Sequence, residues 1–459
     1  MVKRFLEYIR GVIDKMLSKD ALSRQVGGKI LLSSDMADAI DLWFDMFRGR
    51  APWITNKAKG IGLAGLSTAY LARLINAEIK LEVAGSPRAE YINTCMQDMF
   101  LPRITEATQL ALIGGEVVYK PYCVNGRMGI EFIRADRFYP MEIDGMGTVR
   151  AAAFVERKRE NTTCYTRLET HRLSGTTYTI TNKAFRGDGS ALGSEIALSD
   201  YSAWQDIAPE VTIEHVERPL FACFRMPFAN AIDMDSNLPV SIYANAVETM
   251  ADIDRVYTDY CWEFQSARRR VYVDSTAFEF GKDGKPRYPD ADLYIGLETN
   301  GQNAKLFEDY TPDIREQNYQ NGINQLLRIY EAQTGVSAGT YSLDMKTGAV
   351  TATQVISEDR ATFYTVAAIQ ECQKAAILHL AYIIHVFATL YGLAPDGEYE
   401  VIAEFGDSVF EDTQSEFNRR IQLVSQGILR PEELRAWYLG EDEETARKNL
   451  PEMTQVLDA

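Results

Sequence analysis

Apolar residues recur at steps of three and four in several stretches of the chain, and this spacing predicts amphipathic helices. Near the N-terminus, an aromatic-rich stretch at residues 42–47 ends at Gly49 and Pro52, and residues 66–79 make a second helical run within a helical first 80 residues. Longer helices are predicted at residues 240–266, 313–334 and 351–391. The last of these stops at Gly392, a residue typical of helix C-termini.

Between about residues 116 and 224 the apolar pattern alternates with a period of two, which predicts short β-strands. Asn125-Gly126 separates two alternating runs, and this pair favours a two-residue hairpin because both of its residues accept a positive φ. Further turns are predicted at residues 144–145, 174–175 and 187–189. The region is therefore predicted to be an antiparallel meander, and the whole chain an α+β protein.

The order of the predicted elements in the second half of the chain indicates how the chain could assemble with copies of itself. Helix 240–266 is followed by a small strand-and-turn insert, which opens with three consecutive arginines. Helix 313–334 then leads into a polar, glycine-bounded loop at residues 335–350. Two antiparallel helices bridged by an insert would form a stalk. Copies of that stalk arranged side by side in a ring would bury their apolar stripes against one another.

The net charge of −17 argues against a protein that grips DNA over a large surface. Duplex-binding proteins cluster Lys and Arg, because neutralising phosphates provides most of their affinity. A soluble protein kept apart by self-repulsion is the simpler interpretation of the acidity. A passage through which DNA slides remains compatible with it.

The chain also carries indications of its compartment. Its six cysteines form no C-x-x-C pair, which predicts reduced thiols. Residues 1–22 lack the uninterrupted apolar core of a signal peptide. Residues 375–394 contain no Asp, Glu, Lys or Arg and reach membrane length, but they continue a longer helix. We expect a buried core helix there and no membrane partner.

Two short motifs suggest chemistry without the context that the chemistry requires. Gly335-Val-Ser337-Ala-Gly339 matches the nucleophile elbow of α/β-hydrolases, which needs a strand before the serine and a helix directly after it. Here a helix comes first, so a serine hydrolase is kept only as an alternative. The match to G-x-G-x-x-G at residues 60–65 follows no apolar strand, so we expect a helix-capping turn instead of a dinucleotide site.

Other signs of catalysis or metal binding are weak. His379 and His385 are six residues apart, which places them on different sides of a helix, and we expect core histidines. The sequence contains no G-x-x-x-x-G-K-[ST] phosphate loop. We therefore expect no enzyme, no metal site and no cofactor.

An ordered set of segments resembles the portal proteins of tailed double-stranded-DNA bacteriophages, particularly the long-tailed type of Gram-positive hosts. The principal segments are VSIYANAVETMADIDRVYTDYCWEF (240–264), RRRVYV (268–273), QTGVSAGTYSLD (333–344) and TATQVISEDRATF (351–363). Supporting segments are LIGGEVVYKPY (112–122), ADRFYP (135–140) and FGDSVFED (405–412). No single segment is diagnostic, but the ordered set spans most of the chain.

The resemblance implies a portal fold with a β-rich wing, a helical stem, a small α/β clip, a very long wing/crown helix and a helical crown. The implied parts are an N-terminal helical part of the wing (1–84), the β-rich wing (85–238), a stem helix (239–267), the clip (268–310), a second stem helix (311–335), a tunnel loop (336–350), the long wing/crown helix (351–394) and the crown (395–459).

The resemblance also implies a function. Family members form rings, usually dodecameric, at one capsid vertex of the virion, and the ring is the channel for DNA packaging and ejection. The implied partners are double-stranded DNA, the terminase large subunit, a head-completion or adaptor protein, and the major capsid and scaffolding proteins, with assembly in the host cytoplasm. Another ring component of the head–tail connector is an alternative, although such chains are usually much shorter.

The candidate functional residues fall into three groups. The channel-facing stem candidates, which could instead pair with a neighbouring subunit, are Glu248, Asp252 and Asp259. The tunnel-loop candidates are Ser337, Thr340, Tyr341, Lys346 and Thr347. The clip candidates, which would dock an acidic partner or form salt bridges within or between clips, are Arg268, Arg269 and Arg270.

Lys346 is the only cation between Val336 and Val350. Twelve copies of it would present a thin cationic ring to the DNA phosphates and make weak, sliding contacts. A solvated loop lysine without a DNA role is the alternative.

Overall fold

A computed structural model of the protein describes residues 16–274, 293–297, 307–342, 360–406 and 413–450. The helices are α1 (Lys19–Val26), α2 (Ser34–Phe47), α3 (Leu63–Ile75), α4 (Pro87–Cys95), α5 (Ile104–Gly114), α6 (Val247–Ser266), α7 (Glu316–Thr334), α8 (Arg360–Leu390), α9 (Thr413–Ser425), α10 (Pro431–Leu439) and α11 (Glu443–Lys448).

The strands are β1 (Ile79–Ala84), β2 (Glu116–Val124), β3 (Arg127–Arg134), β4 (Phe138–Ile143), β5 (Val149–Glu160), β6 (Thr163–Ser174), β7 (Thr177–Gly187), β8 (Ser194–Ile196), β9 (Glu210–Ile213), β10 (Ala222–Arg225), β11 (Arg270–Asp274), β12 (Tyr294–Leu297), β13 (Phe307–Tyr310) and β14 (Glu400–Phe405). Helices and mainly antiparallel strands together confirm the predicted α+β class.

The predicted meander is present. Strands β4 to β8 follow one another in a single sheet in chain order, and β9 also pairs with β7. The hairpin of β2 and β3 turns at Asn125 and Gly126, whose φ angles are 52° and 72°. Both residues adopt the left-handed conformation that a two-residue hairpin turn requires, so this prediction is confirmed.

The helix predicted for residues 66–79 is wrong at both ends. Helix α3 covers Leu63–Ile75, and Ile79 begins strand β1. In β1, Leu81 and Val83 are buried while the residues between and beside them are exposed, which is the period of a half-buried strand. The strand is completed by antiparallel pairing with β14, far along the chain.

The first long helix starts later than its apolar spacing predicts. Residues 240–243 are buried but not helical, and α6 begins at Val247 after a short 3₁₀ turn. The hydroxyl of Ser241 and the backbone N–H of Ile242 donate to the carbonyl of Leu112, and the Tyr243 hydroxyl donates to the carbonyl of Trp43. These bonds to the body of the protein take the place of a first helical turn.

Helix α8 passes through the main core and packs against β2, β10 and α3. It is long and apolar enough to cross a membrane by length and composition, and half of its most apolar window is buried inside the protein. Its fully buried positions include Ile369, Ile377 and Leu380. The helix therefore forms part of the core, and it ends at Leu390, two residues before Gly392, which has a φ of 62°.

Candidate functional site: the stem hairpin, its strand insert and the loop root

Helices α6 and α7 pack against each other as an antiparallel pair, here called the stem hairpin. At the end of the stem hairpin where α6 stops and α7 starts, the guanidinium of Arg315 donates to both carboxylate oxygens of Glu263, over 2.9 and 2.7 Å. This bond holds the pKa of Glu263 below its usual range and raises that of Arg315. The ring of Tyr319 on α7 packs against Tyr260 on α6. The two helices therefore hold together where the strand insert begins.

The acidic stem candidates lie on one side of α6. Glu248, Asp252 and Asp259 fall within about 40° of one another on a helix of 3.6 residues per turn. Glu248 and Asp259 are exposed, and Asp252 is half-exposed and accepts a bond of 2.6 Å from Arg255. The structure thus places the three carboxylates on an outer face of the stem hairpin.

Asp254 lies on the other side of α6, and the sequence reasoning missed it. Its carboxylate accepts hydrogen bonds from the Trp53 indole N–H at 2.9 Å and from the backbone N–H of Ile61 at 3.0 Å. One turn later, the Thr258 hydroxyl accepts from the backbone N–H of Lys59 at 2.9 Å. Asp254 therefore joins the stem hairpin to the glycine-rich segment before α3. No pattern distinguished Asp254 from the other stem acids.

The described residues between the stem helices form a small sheet, here called the strand insert, in which β11 lies between β12 and β13. Arg269 donates to the carboxylate of Asp309 through Nε and Nη2. Arg268 is exposed, and Arg270 is half-buried at the start of β11, opposite Tyr310. Arg269 thus forms a salt bridge within the insert, which was one of the two alternatives for the arginines.

The segment that follows α7, Gly335–Ser342, is here called the loop root. Ser337 is buried, with 3% of its surface exposed, and the hydroxyl of Thr340 donates to its carbonyl at 2.7 Å. The ring of Tyr341 packs against the rings of Tyr70 and Tyr330. The first three tunnel-loop candidates therefore make contacts inside the protein. Lys346 and Thr347 lie outside the described residues.

Comparison with known proteins identifies the family. The sequence profile described as "Phage portal protein, SPP1 Gp6-like" matches residues 71–455, which is most of the chain. This chain belongs to the SPP1-like phage portal family. A comparison with curated proteins found no match.

Solved structures similar to this portal protein come from particles of a gene transfer agent (GTA). "Virion of native gene transfer agent (GTA) particle" has 12% identity and a TM-score of 0.47, covering 95% of this chain and 99% of that one. "Neck of native GTA particle computed with C12 symmetry" has 12% identity and a TM-score of 0.42, covering 92% and 98%. "Neck of empty GTA particle computed with C6 symmetry" has 11% identity and a TM-score of 0.41, covering 92% and 98%.

The hydrolase alternative is not supported in this portal protein. The Ser337 hydroxyl oxygen accepts hydrogen bonds from the backbone N–H of Thr362 at 3.2 Å and from its hydroxyl at 3.0 Å. His379, a histidine that follows Ser337 in the chain, bonds through Nε2 to the carbonyl of Pro219, 2.9 Å away. Burial lowers the pKa of His379 to about 4, so its ring is neutral near pH 7. Ser337 connects two segments of backbone instead of serving as an exposed nucleophile.

The glycine-rich turn at residues 60–65 caps a helix, as predicted. Gly62 has a φ of 72° and directly precedes α3. The Asp254 carboxylate occupies the backbone N–H of Ile61, next to Gly60, where a pyrophosphate would need positive or neutral groups. Among the residues that the structure describes, no group of His, Cys, Asp or Glu has the arrangement of a metal site.

Proposed function

We propose that this portal protein assembles into a ring of twelve subunits at one capsid vertex, and that the ring is the channel for packaging and ejecting double-stranded DNA. Membership of the portal family carries the proposal. The stem hairpin supports it, since α6 exposes Trp262 and Phe264 on different sides of the helix, and in a ring the two neighbouring subunits would cover apolar surface on both sides. The ring would belong to the virion of a long-tailed phage of a Gram-positive host, after assembly in the host cytoplasm.

The parts of the fold suggest a division of labour. The stem hairpin would surround the channel, and the strand insert would be the clip that docks the terminase large subunit and later a head-completion or adaptor protein. The exposed Arg268 suits an acidic partner surface, whereas Arg269 already pairs with Asp309. The β-rich region at residues 85–238, which includes the β4–β9 sheet, would be the wing that faces the major capsid and scaffolding proteins, and residues 395–459 would form the crown.

The acidity of the chain fits a channel that must not hold its DNA. A protein that neutralises many phosphates binds the duplex tightly and in a salt-dependent way. An outer face of α6 that carries Glu248, Asp252 and Asp259 would instead repel phosphates wherever it lined the passage. The function of the protein would then depend on position and shape, without catalysis.

A packaging experiment tests the proposal. Particles of the parent phage made without this protein should contain no DNA protected from nuclease, and supplying the protein should restore it. Lys346→Glu should reduce the protected DNA severalfold while rings still form, because a carboxylate repels the phosphates that the lysine attracts. Lys29→Glu, the same charge change at an exposed position near the N-terminus, is the control. Unchanged packaging with Lys346→Glu would reject the cationic ring.

A further inference from the structure

The loop root begins at the C-terminal end of α7, where Glu331 takes part through both its backbone and its side chain. Helix α7 ends at Gly335, which has a φ of 69°. The backbone N–H of Val336 donates to the carbonyl of Glu331 at 2.9 Å, closing the helix. The side chain of the same glutamate is fully buried, with 0% of its surface exposed.

The buried carboxylate of Glu331 accepts three backbone N–H groups of the loop root. Gly339 donates to Oε2 at 2.9 Å, and Tyr341 and Ser342 donate to Oε1 at 2.5 and 2.9 Å. A carboxylate in the last turn of a helix is opposed by the helix dipole, and burial adds a desolvation cost. The three charge-assisted bonds offset both costs. The side chain of Glu331 is not needed to cap α7, because the backbone carbonyl of Glu331 already accepts the capping hydrogen bond.

The other side of the loop root is attached to α8. The backbone N–H of Ser337 donates to the Thr362 hydroxyl at 2.8 Å, and Thr362 donates back to the Ser337 hydroxyl oxygen. The Thr365 hydroxyl donates to the carbonyl of Gly335 at 2.7 Å. The loop root therefore connects the end of the stem hairpin to the first described turns of α8.

A third attachment reaches the body of the protein. The Tyr341 ring lies 5.8 Å from the rings of both Tyr70 and Tyr330, and the Tyr330 hydroxyl donates to the Ser67 hydroxyl oxygen at 2.6 Å. Burial raises the pKa of Tyr330 and that of Tyr341 far above the usual range, so both of these hydroxyls stay protonated. Residues up to Ser342 are thus held by α7, α8 and α3 together.

We propose that Glu331 is a positioning residue that fixes the loop root, so that only residues beyond Ser342 are available to approach DNA. The part of this inference that concerns DNA rests on the proposed function. Ser337 and Tyr341 would then fasten the tunnel loop in place, and Lys346 would act from beyond the fixed segment. Glu331 would thereby set the position at which the tunnel loop departs from the end of the stem hairpin.

Hydrogen–deuterium exchange on the assembled protein tests the inference. Glu331→Gln keeps the shape of the side chain but replaces one acceptor oxygen with an NH₂ group that faces N–H donors. Exchange of the amides of Gly339, Tyr341 and Ser342 should accelerate roughly ten- to hundredfold, while exchange in α6 stays unchanged. Glu316→Gln, at an exposed position in the first turn of the same helix, is the matched control and should leave all these rates unchanged. Equal rates at the loop root in the Glu331→Gln variant and the wild type would overturn the proposal.

A second variant and a second readout distinguish a folding defect, a failure of the Glu331 inference and a failure of the proposed function. If Glu331→Gln does not fold, Glu331→Asp keeps the charge but is too short to reach all three amides, and it should accelerate the same amides by a smaller factor. Packaging with either variant should fall while rings of normal appearance form. Faster exchange with normal packaging would show that packaging does not need a fixed loop root, and it would overturn the part of the proposal that concerns DNA. Failure of the wild-type protein to support packaging would count against the proposed function alone.

Discussion

Arg88 shows how much a single buried side chain contributes to this fold. Only 1% of its surface is exposed, and its guanidinium donates to the carbonyls of His385, Ala394 and Pro395, each at 2.8 Å. It also donates to the Thr389 hydroxyl oxygen at 2.8 Å. These acceptors lie in the last turns of α8 and just beyond it, and the carbonyls of Ala394 and Pro395 lie past the end of the helix.

Arg88→Met should therefore destabilise the protein by about 3 kcal/mol or more, because methionine fills the space but removes four hydrogen bonds of a buried guanidinium from part-buried acceptors. Urea unfolding measures the effect. Arg73→Met, an exposed arginine at the end of α3, is the control and should change stability by less than about 0.5 kcal/mol. Equal effects of the two substitutions would contradict this role of Arg88.

The buried imidazole of His379 predicts a dependence of stability on pH. Burial lowers its pKa to about 4, below the value of about 6.5 that histidine has in an unfolded chain. Between these values the unfolded chain binds a proton that the folded protein does not. Stability is therefore complete above about pH 6.5 and is lost as the pH falls toward 4.

From pH 7.5 to 5 the wild type should lose about 2 kcal/mol more stability than His379→Gln. Glutamine keeps a donor for the carbonyl of Pro219 but has no proton to gain. Urea unfolding at the two pH values gives the comparison. The same loss in both proteins would show that this histidine does not carry the effect.

At the scale of elements, the features determined by local sequence were predictable. The Asn125-Gly126 turn and the end of α8 just before Gly392 each depend on a few adjacent residues that accept a positive φ. The start of α6 was not predictable, because Val240 and Tyr243 continue the helical spacing yet are buried against the body of the protein. Apolar periodicity does not distinguish a helical turn from buried irregular chain.

Helix α8 also allows a test of which face forms the core. Leu380 is fully buried, whereas Leu378, two residues away, is 40% exposed. Leu380→Ala should destabilise the protein by about 2–5 kcal/mol through loss of packing and an unfilled cavity. Leu378→Ala should cost less than about 1 kcal/mol. Urea unfolding of the two variants measures both losses of stability. Similar losses from both would contradict a core helix with one buried face.

At the scale of the whole molecule, the order of elements supported the family assignment, and long-range contacts were beyond the reach of sequence reasoning. Strand β1 pairs with β14, although most of the chain separates them. The polar, glycine-bounded loop begins with a fixed segment because Glu331 is buried, and nothing local distinguishes that glutamate from an exposed one. Pairing and burial of this kind depend on the assembled fold.

We propose above that this portal protein acts as a ring around a DNA channel. Class-averaged electron micrographs of the purified protein, taken without detergent, test it most directly. We expect closed rings with twelve-fold symmetry and a central hole that is wide enough for a duplex, with the stem hairpins around the opening. Monomers, or closed particles without a central hole, at concentrations where the protein is fully folded would contradict it.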